Sequence, residues 1–233
     1  MTKLPQTGWQ SDPIMTDNQT RGRPSAPESD VRDKVLNTAF ILIVERDMAS
    51  LTIDEIAKRG GLAKKTIYKF FSNKDAIVEG MIAKWTSTSE VVAPALPATE
   101  QEVIALLEAF FITLMHRVLS LESVVIYQFL QGELKKKAEY LKLYRANGFD
   151  TAGSVLDGWL NAVRAAGLLN PLWPANSAVY LQSLIVTPLL RDISLGILPP
   201  VPTYNPQPRI AQILQDFSPM LLASRPSLTR AFN

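Results

Sequence analysis

The segment from Thr52 to Lys74 constrains the fold of this chain most, because it has the pattern of two short helices joined by a glycine pair. Thr52 is suited to begin the first helix, since its hydroxyl can accept a hydrogen bond from a backbone amide of the first turn. Gly60 and Gly61 can end that helix, because glycine readily adopts the left-handed conformation found at helix C-termini. A second helix is predicted over Lys64 to Phe71. This pattern predicts a helix-turn-helix, whose second helix enters the DNA major groove.

Positive charge is concentrated on this segment. From Lys58 to Lys74 there are six lysines and arginines and no acidic residue, although the whole chain has a formal net charge of only +2. Lys64 and Lys65 fall in the first turn of the second helix, where they oppose the helix dipole until a phosphate binds. The alternative is a solvated lysine face, which is the usual outcome for a charge run. The position of the charge on a helix-turn-helix favours DNA binding.

The residues from Val35 to Ile82 resemble the N-terminal DNA-binding domain of TetR-family transcriptional regulators, with three helices aligned without a gap. The resemblance implies an all-helical protein that binds DNA as a dimer and carries a variable C-terminal ligand domain. Two positions depart from the family pattern, since Ala63 replaces a common serine cap and Phe70 replaces a histidine or tyrosine. The residues that the resemblance and the charge pattern assign to DNA contact are Thr52, Lys64, Lys65, Thr66, Tyr68, Lys69 and Lys74.

The first 27 residues are predicted to form a mobile arm, because they are mostly polar and include four prolines and two glycines. Arg21 and Arg23 stand just before the first helix, where an arginine arm can lie in the DNA minor groove. The alternative, to which we give equal weight, is a disordered tail whose two arginines do not contact DNA.

Composition excludes several classes of function. The chain has no cysteine and one histidine, so we expect neither a disulfide framework nor a cysteine- or histidine-rich metal site. It contains no G-x-x-x-x-G-K-[ST] loop, no G-x-G-x-x-G and no Ser/His/Asp set, so we expect neither an enzyme nor a bound cofactor. The start of the chain lacks a signal-peptide pattern, and the apolar runs are too short to span a bilayer. A soluble cytoplasmic protein, without contact to a membrane, is therefore predicted.

Helical periodicity continues through the rest of the chain, and no strand pattern competes with it. We predict an all-α fold with a mobile arm (1–27), a helix-turn-helix DNA-binding domain (28–75) and a helical regulatory and dimerisation domain (76–233). The other predicted helices cover residues 30–46, 74–90, 99–119, 122–131, 176–195 and 209–223. Residues 133–166 are predicted as one long helix or two.

Aromatic side chains are numerous in the predicted C-terminal domain, and they allow two interpretations. Most aromatic residues at helical spacing belong to a core, but some can line a cavity between helices. A histidine on such a helix is usually a packed or surface residue. The candidate ligand-binding residues are Phe110, Met115, His116, Phe129, Tyr144 and Trp159.

The last two predicted helices carry apolar residues that also allow two interpretations. They can attach these helices to the core of their own subunit. By resemblance to TetR-like proteins, they instead form a four-helix dimer interface. The candidate interface residues are Leu181, Leu184, Ile185, Ile213 and Phe217.

These patterns together predict a ligand-responsive transcriptional regulator, most simply a repressor. It is expected to bind a pseudo-palindromic duplex DNA operator as a homodimer and to be released by a small apolar molecule. The alternative is a DNA-binding protein of the same fold that is controlled by a protein partner and has no small-molecule ligand.

Overall fold

The computed structural model describes residues 27–46, 51–87, 91–133 and 138–223. Within these ranges the chain forms ten α-helices and no strand, which confirms the predicted all-α fold. None of these helices is both long enough and apolar enough to cross a membrane. The helices are α1 (Glu28–Glu45), α2 (Ile53–Gly60), α3 (Lys64–Phe70), α4 (Lys74–Thr86), α5 (Glu100–Val118), α6 (Leu121–Glu133), α7 (Ala138–Asn147), α8 (Phe149–Ala165), α9 (Ala178–Ser194) and α10 (Gln207–Leu221).

The helix-turn-helix consists of α2 and α3, and its local signals act as the sequence predicts. Thr52 Oγ1 accepts a hydrogen bond from the Glu55 amide at 3.1 Å, which caps the start of α2. Gly61 follows α2 with a φ of +58°, a conformation that strains residues with a Cβ. Ala63 precedes α3 and provides no side-chain cap. The turn therefore fixes the direction in which α3 leaves α2.

One apolar cluster, here called the N-terminal core, joins α1–α4 to α6 and α7. Ile56 of α2, Ile67 of α3 and Ile82 of α4 are fully buried in it. Ile126 of α6 and Tyr140 of α7 are buried in the same cluster. The helix-turn-helix is thus packed as one unit with α4 and with two helices from the second half of the chain.

A second apolar cluster, the C-terminal core, is formed mainly by α5, α8, α9 and α10. Phe111, Leu156 and Ile185 are fully buried there, and Leu214 of α10 is 1% exposed. Outside the helices, the amide of Val201 donates to the carbonyl of Leu119 at 3.1 Å and ties the segment before α10 to the end of α5.

The structure corrects the predicted end of one helix and decides between the two alternatives predicted for residues 133–166. The fourth helix ends at Thr86 instead of residue 90, because Ser87 is already extended. The segment 133–166 contains the two helices α7 and α8, which meet at Gly148. A Cβ on Gly148 would lie 2.9 Å from the carbonyl oxygen of Thr86, so only glycine fits this junction without a shift.

Candidate nucleic-acid interface and internal cavity

Helix α3 buries one side and exposes the other. Ile67 is fully buried, and Phe71, directly after the helix, is 2% exposed. Lys65, Tyr68 and Lys69 lie on the exposed side, and Tyr68 keeps 53% of its surface accessible. Ammonium and phenol groups on such a helix can donate to phosphates and to base edges. The exposed side of α3 is therefore a chemically suitable surface for DNA.

Two lysines of α3 are paired with carboxylates on neighbouring helices. Lys64 Nζ lies 2.8 Å from Asp54 Oδ1, and Lys69 forms an ion pair with Glu28 at the start of α1. The hydrogen bond from Lys64 to Asp54, together with the carboxylate charge, raises the pKa of Lys64. These side chains are all more than half exposed, so the pairs contribute little stability. A phosphate group can replace either carboxylate at small cost.

The other predicted DNA-contacting residues are less favourably placed than those on the exposed side of α3, or they lie outside the described residues. Thr52 is exposed, and its hydroxyl is already used in capping α2. Thr66 within α3 and Lys74 at the start of α4 are partly buried. Arg21 and Arg23 fall outside the described residues, so their role stays a prediction.

A cavity of about 70 Å³ lies where α4, α5, α6, α7, α8 and α9 converge. By the rule that one water needs about 10–15 Å³, this space admits roughly five water-sized groups. Its wall combines four aromatic rings with aliphatic side chains and a few polar groups. The lining residues are Trp85, Thr86, Leu114, Arg117, Val118, Ser123, Tyr127, Tyr144, Gly148, Phe149, Ala152, Gln182, Val186, Thr187 and Leu190.

Of the six predicted ligand residues, Tyr144 lines this cavity. His116 is exposed on α5, although its neighbour Arg117 lines the cavity, because successive residues on a helix point about 100° apart. The remaining four lie elsewhere: Phe110, Met115 and Trp159 are buried in the C-terminal core, and Phe129 packs against the N-terminal core. The residues that line the cavity therefore share Tyr144 with the predicted ligand-binding residues. The other lining residues were not predicted.

The end of α4 forms one wall of the cavity and is held by side chains of α5 and α6. Arg117 Nε donates to the carbonyl of Ser87 at 2.9 Å, and its Nη2 donates to the carbonyl of Lys84 at 3.4 Å. Ser123 Oγ donates to the carbonyl of Trp85 at 2.6 Å. The last carbonyls of a helix have no partner within the helix, so these donors satisfy groups that otherwise need water.

Trp85 connects the cavity to the helix-turn-helix domain. Its ring lines the cavity and also packs on Phe40 of α1, with ring centroids 4.8 Å apart. On the same helix, Asp75 at the start of α4 accepts a hydrogen bond from Tyr140 of α7 at 2.8 Å. Tyr144, one turn further along α7, lines the cavity. The cavity wall therefore includes the last turn of α4 directly, through Trp85. It is connected to the start of α4 through α7, which carries both Tyr144 and Tyr140.

Tyr127 and Tyr144 form a pair of rings on the cavity wall, with centroids 6.3 Å apart and planes inclined at 41°. Burial raises the pKa of Tyr144 to about 12, with a smaller contribution from Tyr127. The hydroxyl of Tyr144 therefore stays protonated at neutral pH and remains a hydrogen-bond donor.

The sequence prediction omitted Arg117 and Gln182 as candidate ligand residues. Both lie on helix sides that otherwise carry apolar residues, since Arg117 follows Leu114 by one turn, and Gln182, which is 2% exposed, precedes Ile185 by one turn. A charged or amide side chain within an apolar stripe is the signal that could have indicated them.

The predicted dimer residues are buried to different degrees. Leu181 and Ile185 are fully buried in the core of their own subunit. This agrees with the alternative that these residues attach α9 to its own subunit. The remaining predicted residues are partly buried: Leu184, Ile213 and Phe217. Tyr180 and Met220 are 53% and 50% exposed and lie on the same stripes at helical spacing. α9 and α10 therefore each retain an incompletely covered apolar stripe.

Known proteins share the helix-turn-helix geometry described above. The family described as "Bacterial regulatory proteins, tetR family" matches residues 35–81, which run from α1 into α4. Residues 35–81 therefore have the sequence pattern of the TetR-family DNA-binding region.

Individual relatives support this assignment. The uncharacterised HTH-type transcriptional regulator YdeS of Bacillus subtilis is 31% identical over 36% of this chain and 41% of its own length. The HTH-type transcriptional regulator EthR of Mycolicibacterium smegmatis is 32% identical over 42% of this chain and 50% of its own length. The chain thus spans half or less of the length of these relatives. They are named as regulators, in agreement with the prediction that the chain is not an enzyme.

A solved structure extends the similarity to the C-terminal domain at the level of the fold. The crystal structure of a TetR transcriptional regulator from Agrobacterium tumefaciens has a TM-score of 0.69 and 22% sequence identity. The similarity covers 84% of this chain and 96% of that one. The helices beyond α4 therefore share the fold of that structure.

The contact between Gly148 and the end of α4 gives a prediction for stability. Gly148→Ala is expected to lower the free energy of unfolding by roughly 1–3 kcal/mol, because overpacking against rigid backbone is costly. The added Cβ would lie 2.9 Å from Thr86 O and 3.2 Å from Tyr144 O. Gly158→Ala is the matched control, since its Cβ would meet no atom within 4 Å. It is expected to stabilise α8 by up to about 1 kcal/mol.

Urea unfolding of both variants measures the difference. If Gly148→Ala were as stable as Gly158→Ala, the close approach between α4 and the α7–α8 junction would be refuted.

Proposed function

We propose that the protein is a transcriptional repressor that binds a pseudo-palindromic operator as a homodimer and is released by a small molecule. The observation that carries this proposal is the position of α4. Its last turn forms a wall of the internal cavity, while the rest of the helix packs in the same core as α3. Occupation of the cavity can therefore change the position of the DNA-reading helix. Acting on chromosomal DNA, such a repressor works in the cytoplasm.

Helix α3 is the proposed DNA-reading element. Lys65, Tyr68 and Lys69 are exposed on it, and Lys64 lies in its first turn, where backbone amides attract a phosphate. One such helix reads only a few base pairs, so specificity requires two copies about 34–36 Å apart or a multiple of that spacing. The proposed arm contacts of Arg21 and Arg23 would add affinity in the flanking minor groove.

The proposed dimer interface is formed by the apolar stripes on α9 and α10. Leu184, Ile213 and Phe217 contribute their partly exposed faces, and Tyr180 and Met220 extend the surface. Leu181 and Ile185 would stabilise the interface indirectly, because their burial in the C-terminal core fixes the position of α9. Burial of such stripes against a second copy removes apolar surface from water and favours association.

The internal cavity favours a small molecule over a protein partner as the controlling agent. It lies under α4 and is lined by four aromatic rings and several aliphatic side chains, which is the usual composition of a ligand site. A ligand that fits better when α4 has shifted would lower the affinity for operator. Operator DNA must then weaken ligand binding by the same factor.

Substitution of Lys65 tests the proposed reading helix. Lys65→Ala is expected to weaken binding to a duplex selected by the wild-type protein from a random library about tenfold or more. A hydrogen bond to a charged group contributes roughly 1.5–3 kcal/mol. The slope of log affinity against log salt should also fall by about 1.8, because each lysine–phosphate contact contributes about 0.9 and the homodimer loses two of them. Lys142→Ala is the control, because Lys142 is an exposed lysine on α7, far from α3 in the chain.

Fluorescence anisotropy over a range of salt concentrations provides both quantities. Equal affinity and equal salt slope for Lys65→Ala and Lys142→Ala would mean that α3 does not contact DNA through this lysine.

A charge on the α10 stripe tests the proposed interface. Met220→Asp is expected to shift the protein from dimer to monomer, because a buried unpaired carboxylate is costly at an interface. Met220 is 50% exposed in the subunit, so the monomer should stay folded. Ile197→Asp is the control, since Ile197 is 65% exposed outside both stripes. Sedimentation velocity gives the oligomeric state, and a Met220→Asp variant that remains a dimer would place the interface elsewhere.

A further inference from the structure

Two polar side chains of the cavity wall carry groups that have no hydrogen-bond partner in the described part of the chain. Gln182 of α9 is 2% exposed, and its Nε2 donates to the carbonyl of Phe149 at 3.4 Å, whereas its Oε1 accepts from no described residue. The hydroxyl of Tyr144 on α7 likewise has no partner among the described residues. Buried polar groups are usually paired with protein, water or a ligand. The wall therefore offers one acceptor and one donor to a molecule in the cavity.

The volume of the cavity limits the size of that molecule. One water needs about 10–15 Å³ of such space, so about 70 Å³ admits a molecule of roughly five or six non-hydrogen atoms. An engineered apolar cavity that binds benzene has about 150 Å³, roughly twice the space available in this protein. An aromatic ring is therefore too large, and a short aliphatic chain with one polar head group is of suitable size.

The wall favours a neutral molecule with one hydroxyl group. A charged head group would lose its hydration in so small a space, which costs more than the desolvation of a neutral group. A hydroxyl can donate its one hydrogen to Gln182 Oε1 and accept from the Tyr144 hydroxyl, whereas a primary amide would bring a second N–H that also needs an acceptor. Leu114, Val186 and Leu190 provide aliphatic surface for the chain of such a molecule.

Both polar side chains are bonded to the junction between α7 and α8, which contacts the end of α4. Phe149, which accepts from Gln182, is the first residue of α8, and the carbonyl of Tyr144 accepts from the amide of Gly148 at 3.0 Å. Gly148 packs so closely on Thr86 that a Cβ there would lie 2.9 Å from the Thr86 carbonyl oxygen. A molecule that repositions Gln182 and Tyr144 therefore displaces the junction against which α4 ends.

We propose that the effector is a short-chain aliphatic alcohol whose hydroxyl donates a hydrogen bond to Gln182 and accepts one from Tyr144. This inference rests on the proposed function and specifies its ligand. The chain of the alcohol packs against the aliphatic part of the wall and supplies affinity. The donated hydrogen bond distinguishes the effector from an apolar molecule of the same size, because only a donor satisfies Gln182 Oε1.

Binding of two isomeric compounds to the full chain tests the ligand class. The probes are 1-pentanol and 1-methoxybutane, which have the same atoms and a similar shape, but only the alcohol has a hydrogen-bond donor. Isothermal titration calorimetry is expected to show that 1-pentanol binds about 5–50-fold more tightly, because the ether leaves Gln182 Oε1 unpaired. Benzyl alcohol is expected to bind more weakly than 1-pentanol, because its ring exceeds the space.

Three results of this titration overturn the proposal. They are equal affinity for 1-pentanol and 1-methoxybutane, no binding of 1-pentanol, and tighter binding of benzyl alcohol than of 1-pentanol.

Substitution of Gln182 tests the residue assigned to the hydroxyl. Gln182→Met keeps the length of the side chain and removes the acceptor, so the preference for 1-pentanol over 1-methoxybutane should disappear. Tyr144→Phe should weaken the binding of both isomers, because the hydroxyl and the ether oxygen both accept hydrogen bonds. Ser183→Ala is the control, since Ser183 is the exposed neighbour of Gln182 on α9.

Circular dichroism reports whether each variant folds, and the comparison of the two isomers with the wild-type protein decides the ligand class if Gln182→Met does not fold. An unchanged preference for the alcohol in folded Gln182→Met overturns the role of Gln182.

Release from DNA separates this proposal from the function on which it rests. Binding of the wild-type protein to its selected duplex is measured first without any compound. Failure to select a duplex refutes the proposed function itself. Selection of a duplex, followed by unchanged DNA affinity in saturating 1-pentanol, overturns only the assignment of the effector. A loss of DNA affinity of about 5–150-fold with 1-pentanol, and a smaller loss with 1-methoxybutane at equal concentration, supports it.

Discussion

The end of α4 depends on hydrogen bonds from other helices, and the rest of the structure is arranged around this dependence. A helix leaves its last four carbonyls without partners in the helix. Here Arg117 of α5 and Ser123 of α6 donate to carbonyls of Lys84, Trp85 and Ser87. The second half of the chain thereby fixes where α4 ends, and α4 in turn packs in one core with α3, the proposed DNA-reading helix.

This arrangement explains why a cavity at this place can control a distant surface. A packed core transmits displacement because it cannot be compressed to absorb it. Trp85 contacts both the cavity and Phe40 of α1, so a shift of the last turn of α4 must also change the packing of α1. The lysine pairs on α3 act differently, because Asp54 and Glu28 are exposed partners that phosphates can replace. In the proposed function, DNA binding and ligand binding thus depend on separate interactions that are joined through α4.

The helix-turn-helix could be predicted from the sequence because its determinants are local. Thr52 caps a helix that begins one residue later, and Gly61 supplies the left-handed conformation directly after it. The cavity could not be predicted, since its wall is formed by six helices that meet only in the folded chain. His116 and Arg117 illustrate the limit, because the phase of α5 relative to its neighbours decides which of them faces the cavity. The break at Gly148 likewise becomes explicable only when the carbonyl of Thr86 is seen beside it.

The central claim, that occupation of the cavity moves the DNA-reading helices, is tested most directly by a distance between the two copies of α3. The chain has no cysteine, so Ser72→Cys, at an exposed position just after α3, provides a single site for a spin label. Electron–electron double resonance then reports the label distance in the dimer with operator DNA and with a small compound that a calorimetric screen finds to bind the protein. The account predicts one narrow distance distribution on DNA and a distribution displaced by several ångströms in the compound. Identical distributions, under conditions in which calorimetry shows the compound bound, would contradict it.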